Sequence, residues 1–136
     1  MKKWFAYLVL LAGIYDLMLA ALFLFASPFV SILLAYPISP LSAALLQICG
    51  AFLFAFGLAL VVASRNLDQL LVIPVVNSIL RLLFFVILLY YIIIWSLPVL
   101  LLVFGVIDAI IGILFLAFTL AIKDYGFRAI LPKPRT

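Results

Sequence analysis

The stretch Asn77-Ser78-Ile79-Leu80-Arg81-Leu82-Leu83-Phe84-Phe85-Val86-Ile87-Leu88-Leu89 decides how the whole chain is read. From Leu82 to Leu89 every residue is apolar, so nothing alternates. A strand of a lipid-facing barrel alternates apolar and polar with period two. In hydrocarbon the backbone must satisfy its own hydrogen bonds, which leaves the helix as the form for this run. The run sits inside Leu70–Ile94, long enough to cross the ~30 Å hydrocarbon core, which needs about 20 apolar residues.

The rest of the chain has the same character. Of 136 residues, 72% are hydrophobic and 9% are charged. A soluble domain is about 45–50% apolar and about 25% charged, so this composition excludes a soluble globule. It also excludes a disordered chain, which is poor in apolar residues. No charge occurs between Leu17 and Ser64, but Ser27-Pro28 and Pro37-Ile38-Ser39-Pro40 interrupt that stretch. Proline ends helices at the residue before it. Four spans result: 4–26, 41–63, 70–94 and 97–122. Each has 23 to 26 residues, about 35–39 Å at 1.5 Å per residue. Trp95-Ser96-Leu97-Pro98 reads as a tight turn with Pro98 in the first turn of the last span. Segment 28–36 is too short to cross and reads as an interfacial helix or a segment that dips back in. The expected fold is an all-α, single-domain, up-down four-helix bundle in a membrane.

Charge sets the expected orientation. Lys2, Lys3, Arg65, Lys123, Arg128, Lys133 and Arg135 fall on one side of such a bundle, and no Lys or Arg falls in the opposite loops. The positive-inside rule then places both termini in the cytoplasm, in an inner or plasma membrane. An even number of spans requires the same. The net charge of +4 is thereby a topology signal and does not imply a nucleic-acid partner. The basic tail Lys123–Arg128 and Lys133–Arg135 is a stretch that could touch anionic lipid. Lys2-Lys3 followed by an apolar run resembles the start of a signal peptide. The run exceeds a 7–15-residue signal core and carries Asp16, so it reads as a retained helix.

Three charges are stranded within the spans: Asp16, Arg81 and Asp108. All three fall near the expected midplane. A lone charge there costs roughly 2.5–3.5 kcal/mol on insertion scales. The economical arrangement sets Arg81 between the two acids, because a guanidinium has five donors in a fork. Asn77 lies one turn before Arg81 on the same face, and Gln47 and Tyr15 are further hydrogen-bond candidates. Phe84, Leu88 and Tyr91 follow on the face of Arg81 and are expected to line a pocket above it. Gly13 precedes Asp16 by three residues and Ala20 follows it by four; Gly105 and Gly112 stand in the same relation to Asp108. Small residues let helices approach, so each acid is expected to face another helix. The two segments also align without a gap at Gly, Asp, Leu, Phe and Leu, which leaves an internal duplication open. Ala43, Gly50, Gly57 and Ser64 form a seven-residue stripe in the second span, read as a packing groove.

The missing residues exclude much chemistry. There is no His, and Cys49 is the single cysteine. Haem, zinc and copper sites normally need those residues, and an intrachain disulfide needs two. No Gly-rich phosphate loop is present. The chain is therefore read as non-catalytic, with no resident cofactor beyond a quinone candidate and no metal site. The size, the four spans, the short loops and Gly13-Ile14-Tyr15-Asp16 resemble the DoxX-like class of small membrane proteins. That class includes chains associated with thiosulfate:quinone oxidoreductase, so the resemblance implies a link to quinones or redox complexes.

Four readings remain open. Asp16, Arg81 and Asp108 could fix helix register and nothing more. They could form the polar end of a site for a lipophilic ligand (membrane lipid or quinone) in a small bundle or accessory subunit of a membrane complex. They could carry protons or small solutes through a homo-oligomer. The last reading is a lipid-directed enzyme with Asp as general acid and base.

Overall fold

The computed structural model describes residues 1–34, 37 and 39–122. Among them it is all helix: α1 Lys2–Phe25, α2 Ser27–Leu34, α3 Pro40–Arg65, α4 Leu67–Leu70, α5 Val72–Trp95 and α6 Leu100–Ala121. Four of these, α1, α3, α5 and α6, are long and apolar enough to cross a membrane. Only 17–28% of the most apolar stretch of each is buried inside the protein. Most of the remaining surface is apolar side chain, as a lipid-embedded helix requires. The chain is thus built as a multi-pass membrane protein.

Local chemistry sets the helix ends. Ser39 caps α3, its hydroxyl accepting the Ser42 N–H at 3.2 Å, and Pro40 takes the first position. There a proline loses no hydrogen bond. Pro74 lies in the first turn of α5, for the same reason. Ser96 adopts a left-handed conformation (φ 52°) and ends α5. The last span begins at Leu100, three residues later than the Leu97 expected from hydropathy. Leu97 precedes a proline and is steered away from the helical region. The Pro98 and Val99 carbonyls then accept the Leu101 and Leu102 N–H groups and start α6. Pro98 accordingly precedes the helix and does not occupy its first turn.

The polar break Ser64–Gln69 is a helical corner: Asn66 Nδ2 donates to Gln69 Oε1 at 2.9 Å, and Leu67 and Leu71 tuck beneath it. Lys2 at the start of α1 pairs with Asp68 of α4 at 3.1 Å. The N-terminus of α1 therefore lies beside the α3–α5 corner. The short segment 28–36 is helical through Leu34 as part of α2, and its residues 35 and 36 lie outside the described residues. So does the basic tail from 123 onward.

The long helices associate as two close pairs. In the α1–α3 pair, a Cβ added at Gly13 would lie 2.9 Å from the Gly57 carbonyl oxygen, and one at Gly50 3.3 Å from that of Ala20. The pair therefore runs antiparallel with the backbones almost touching. The stripe Gly50 and Gly57 is the seam of this pair. In the α5–α6 pair, Gly112 approaches the Ser78 carbonyl and Gly105 receives Leu88. This pair is antiparallel too. The small residues beside each acid thus serve packing within a pair. Where the pairs meet, Phe5 of α1 stacks on Phe118 at 5.6 Å and meets Phe115 edge-on at 5.9 Å. Val9, Ala12, Leu60, Ala63, Leu67, Leu71 and Ile122 complete a compact core at that end.

Candidate functional site

The site forms where the two helix pairs face each other beyond this core. Arg81 projects from α5 and is 6% exposed. Its Nε donates to Asn77 Oδ1 at 2.7 Å, one turn back on the same helix. That bond holds the guanidinium plane. Nη2 then donates to Asp16 Oδ1 on α1 at 2.6 Å, and Nη1 donates to Asp108 Oδ1 on α6. One fork therefore joins three of the four long helices and both helix pairs. Each of the three charged residues lies within about three residues of the centre of its own helix. At a low effective dielectric such contacts are strong, and their loss leaves buried charge unpaired.

Neighbouring glycines fix the spacing. A Cβ at Gly112 would stand 3.0 Å from the Ser78 carbonyl oxygen and 3.5 Å from Arg81 Cβ. Gly112 follows Asp108 by four residues, so the residue that brings α6 close lies on the same side as the acid. Gly13 has the corresponding role before Asp16, against α3.

A cavity of about 450 Å³ opens above this polar floor. Asp16, Asn77, Arg81 and Asp108 line its base, and Val30 of α2 borders it. Its walls are almost wholly apolar, with Leu46, Leu53, Leu101 and five phenylalanines. A few polar groups at one end of an apolar cavity of ~300–1,000 Å³ is the usual build of a small-ligand site. A much smaller apolar cavity stays dry in soluble proteins and takes apolar guests. Walls such as these suit hydrocarbon.

The structure brings Asp16, Arg81, Asp108 and Asn77 together. Tyr15 contributes its ring, whose centre is 5.9 Å from Arg81 Cζ. Its hydroxyl is buried with no hydrogen-bond partner among the described residues, so it adds no bond to the network. Gln47 does not join: it is exposed on α3. The cavity face of α3 is Leu46, Cys49, Phe52, Leu53 and Phe56, at i, i+3, i+6, i+7 and i+10, and Gln47 is rotated about 100° from Leu46. Of the three residues expected above Arg81, Phe84 lines the cavity. Leu88 instead fills the space left by Gly105, and Tyr91 is 45% exposed and pairs edge-on with Tyr90. A helix face alone does not tell which neighbour it meets. Cys49 and the α3 wall were not expected at the site; their signal was the apolar stripe one residue before the glycine seam.

Ser78 and Thr119 are buried hydroxyls outside the site, and each returns its hydrogen bond to its own helix, at 2.7 Å to Val75 O and to Phe115 O. No grouping of His, Cys, Asp and Glu suited to a metal ion occurs among the described residues. No family model, curated protein or solved structure matches this chain.

Proposed function

We propose that the chain is a non-catalytic up-down four-helix membrane bundle that binds a lipophilic ligand, with its polar head on the Asp16–Arg81–Asp108 floor. On this reading it works alone or as an accessory subunit of a larger membrane complex. The observation that carries the reading is the apolar cavity of about 450 Å³ ending on a charged, mid-helix floor. A network that served helix register alone needs no cavity beside it. Asp16, Arg81 and Asp108 hold the head, Asn77 orients Arg81, and the phenylalanine walls hold the tail. The DoxX-like resemblance makes a quinone, beside membrane lipid, a ligand to test. Both termini face the cytoplasm, on the strength of seven basic residues on one side against none on the other.

Native mass spectrometry of the protein extracted from its own membrane tests the binding reading. The expected spectrum shows a discrete lipid or quinone adduct that Phe84→Ala and Phe104→Ala deplete. A chain that flies bare in every gentle detergent overturns it. A stoichiometric partner chain supports the subunit form.

A second reading is favoured by a specific feature: Asp108 lines the cavity and its side chain keeps 14% of its surface exposed. A carrier of protons or small solutes working as a homo-oligomer would use Asp16 and Asp108 this way. Flux in proteoliposomes that Asp108→Asn abolishes, together with a dimer in mild detergent, would select it.

A further inference from the structure

The charge of the floor narrows the ligand class, and this step rests on the ligand-binding reading above. The charged residues lining the cavity are Asp16, Asp108 and Arg81. One guanidinium faces two carboxylates, so with both ionised one negative charge is in excess. Each acid uses Oδ1 for Arg81, and its second oxygen is left as an acceptor. Asp108 is the more open of the two, its side chain 14% exposed against 2% for Asp16. The walls carry Phe23, Phe52, Phe56, Phe84 and Phe104, whose ring faces attract cations. An anionic head group would meet the excess charge at low dielectric with little screening. An uncharged head would leave it to be quenched by a proton, which a cation replaces.

The mouth has a direction as well. Cys49, Phe52, Leu80 and Phe84 line the cavity and are also exposed. They lie on α3 and α5, near the middle of both helices. The opening is therefore lateral, between two apolar helices and at the depth of lipid tails.

We infer that the cavity takes a lipophilic organic cation, an ammonium or phosphonium ion with apolar substituents, which enters from the bilayer between α3 and α5 and is neutralised at Asp108. The excess carboxylate charge and the aromatic walls select it over anionic lipid and over a neutral quinone.

Tetraphenylphosphonium and tetraphenylborate share size and shape and differ in sign. Their binding to the protein in phosphatidylcholine nanodiscs, corrected for empty nanodiscs, tests the inference beside a short-chain ubiquinone. The phosphonium is expected to bind saturably and at least tenfold tighter than the borate or the quinone. Asp108→Asn should weaken it at least tenfold and Asp108→Glu should restore it. Phe104→Ala, which leaves every charge in place, should weaken it several-fold, so the test survives a misfolded Asp108→Asn. Bound phosphonium should also slow maleimide labelling of Cys49. Borate or quinone binding as tightly as the phosphonium overturns the charge inference and leaves the ligand cavity standing. Saturable binding of none of the three overturns both. Unchanged Cys49 labelling at saturating phosphonium overturns the lateral route.

Discussion

The two ends of the molecule are built from similar residues and reach opposite outcomes. At the end that holds Lys2 and the α3–α5 corner, Phe5, Val9, Leu60 and Phe115 are fully buried, and both helix pairs close on one another. At the other end Phe23, Phe52, Phe84 and Phe104 surround a cavity of about 450 Å³. Aromatic content does not separate them. The difference is what lies between the helix pairs: an interlocked Phe5–Phe115–Phe118 cluster at one end, and at the other an Arg81 fork that holds the pairs by ion pairs with space above them. Packed ends carry stability. A hollow end is kept open only by a frame that does not collapse, and here Arg81 and the two glycine seams supply that frame.

The strongest way to break this picture is to cut the fork. Arg81→Leu should cost about 3–5 kcal/mol, because Asp16 and Asp108 would both lose their counter-charge. Fluorescence-detected size exclusion should show the monodisperse peak lost or its thermal midpoint sharply lowered. The triple variant Asp16→Asn, Arg81→Leu, Asp108→Asn should recover most of that loss and still bind no ligand. Recovery of both fold and binding would make the charges irrelevant to the site.

Next comes the same substitution at both ends. Phe5→Ala removes a fully buried ring and should cost about 3–5 kcal/mol. Phe84→Ala removes a ring that is 47% exposed and borders empty space, and should change stability by less than about 1.5 kcal/mol while weakening ligand binding. Equal thermal shifts for the two would erase the distinction between packed and hollow ends.

The glycine seams give a smaller and sharper contrast. At Gly57 an added methyl meets the Gly13 carbonyl at 3.0 Å and Leu17 at 2.9 Å. The backbone cannot yield without parting α1 from α3, so Gly57→Ala should cost about 1–3 kcal/mol. At Gly105 the obstruction is Leu88 Cδ2 at 2.7 Å, the end of a flexible side chain. Gly105→Ala should cost less, as read by thermal unfolding in detergent. Smallest of all is Lys2→Ala: its pair with Asp68 is 3.1 Å long between side chains 44% and 67% exposed. A change within about 1 kcal/mol is expected.

How much of this was readable beforehand differs by feature. The run Leu82–Leu89, with no alternation, already demands helices, and the prolines at 28, 37, 40 and 98 divide them. The cost of burying charge was sufficient to nominate Asp16, Arg81 and Asp108 together, and Asn77 followed from helical spacing. Gln47, Leu88 and Tyr91 show where such reasoning stops. In a helix that is apolar all round, periodicity carries no information about which side meets a neighbour.

What the sequence determined by itself, then, is the number of spans, the helical form and the identity of the buried charges, because lipid penalises unsatisfied backbone and unpaired charge wherever they occur. Tertiary structure alone decided that the helices pair as α1 with α3 and α5 with α6, that Leu88 fills the notch of Gly105, and that a cavity opens above Arg81. Those outcomes depend on close approach between particular surfaces. Hydrocarbon is as welcoming to leucine as a neighbouring helix is, so the order of apolar residues does not encode the choice.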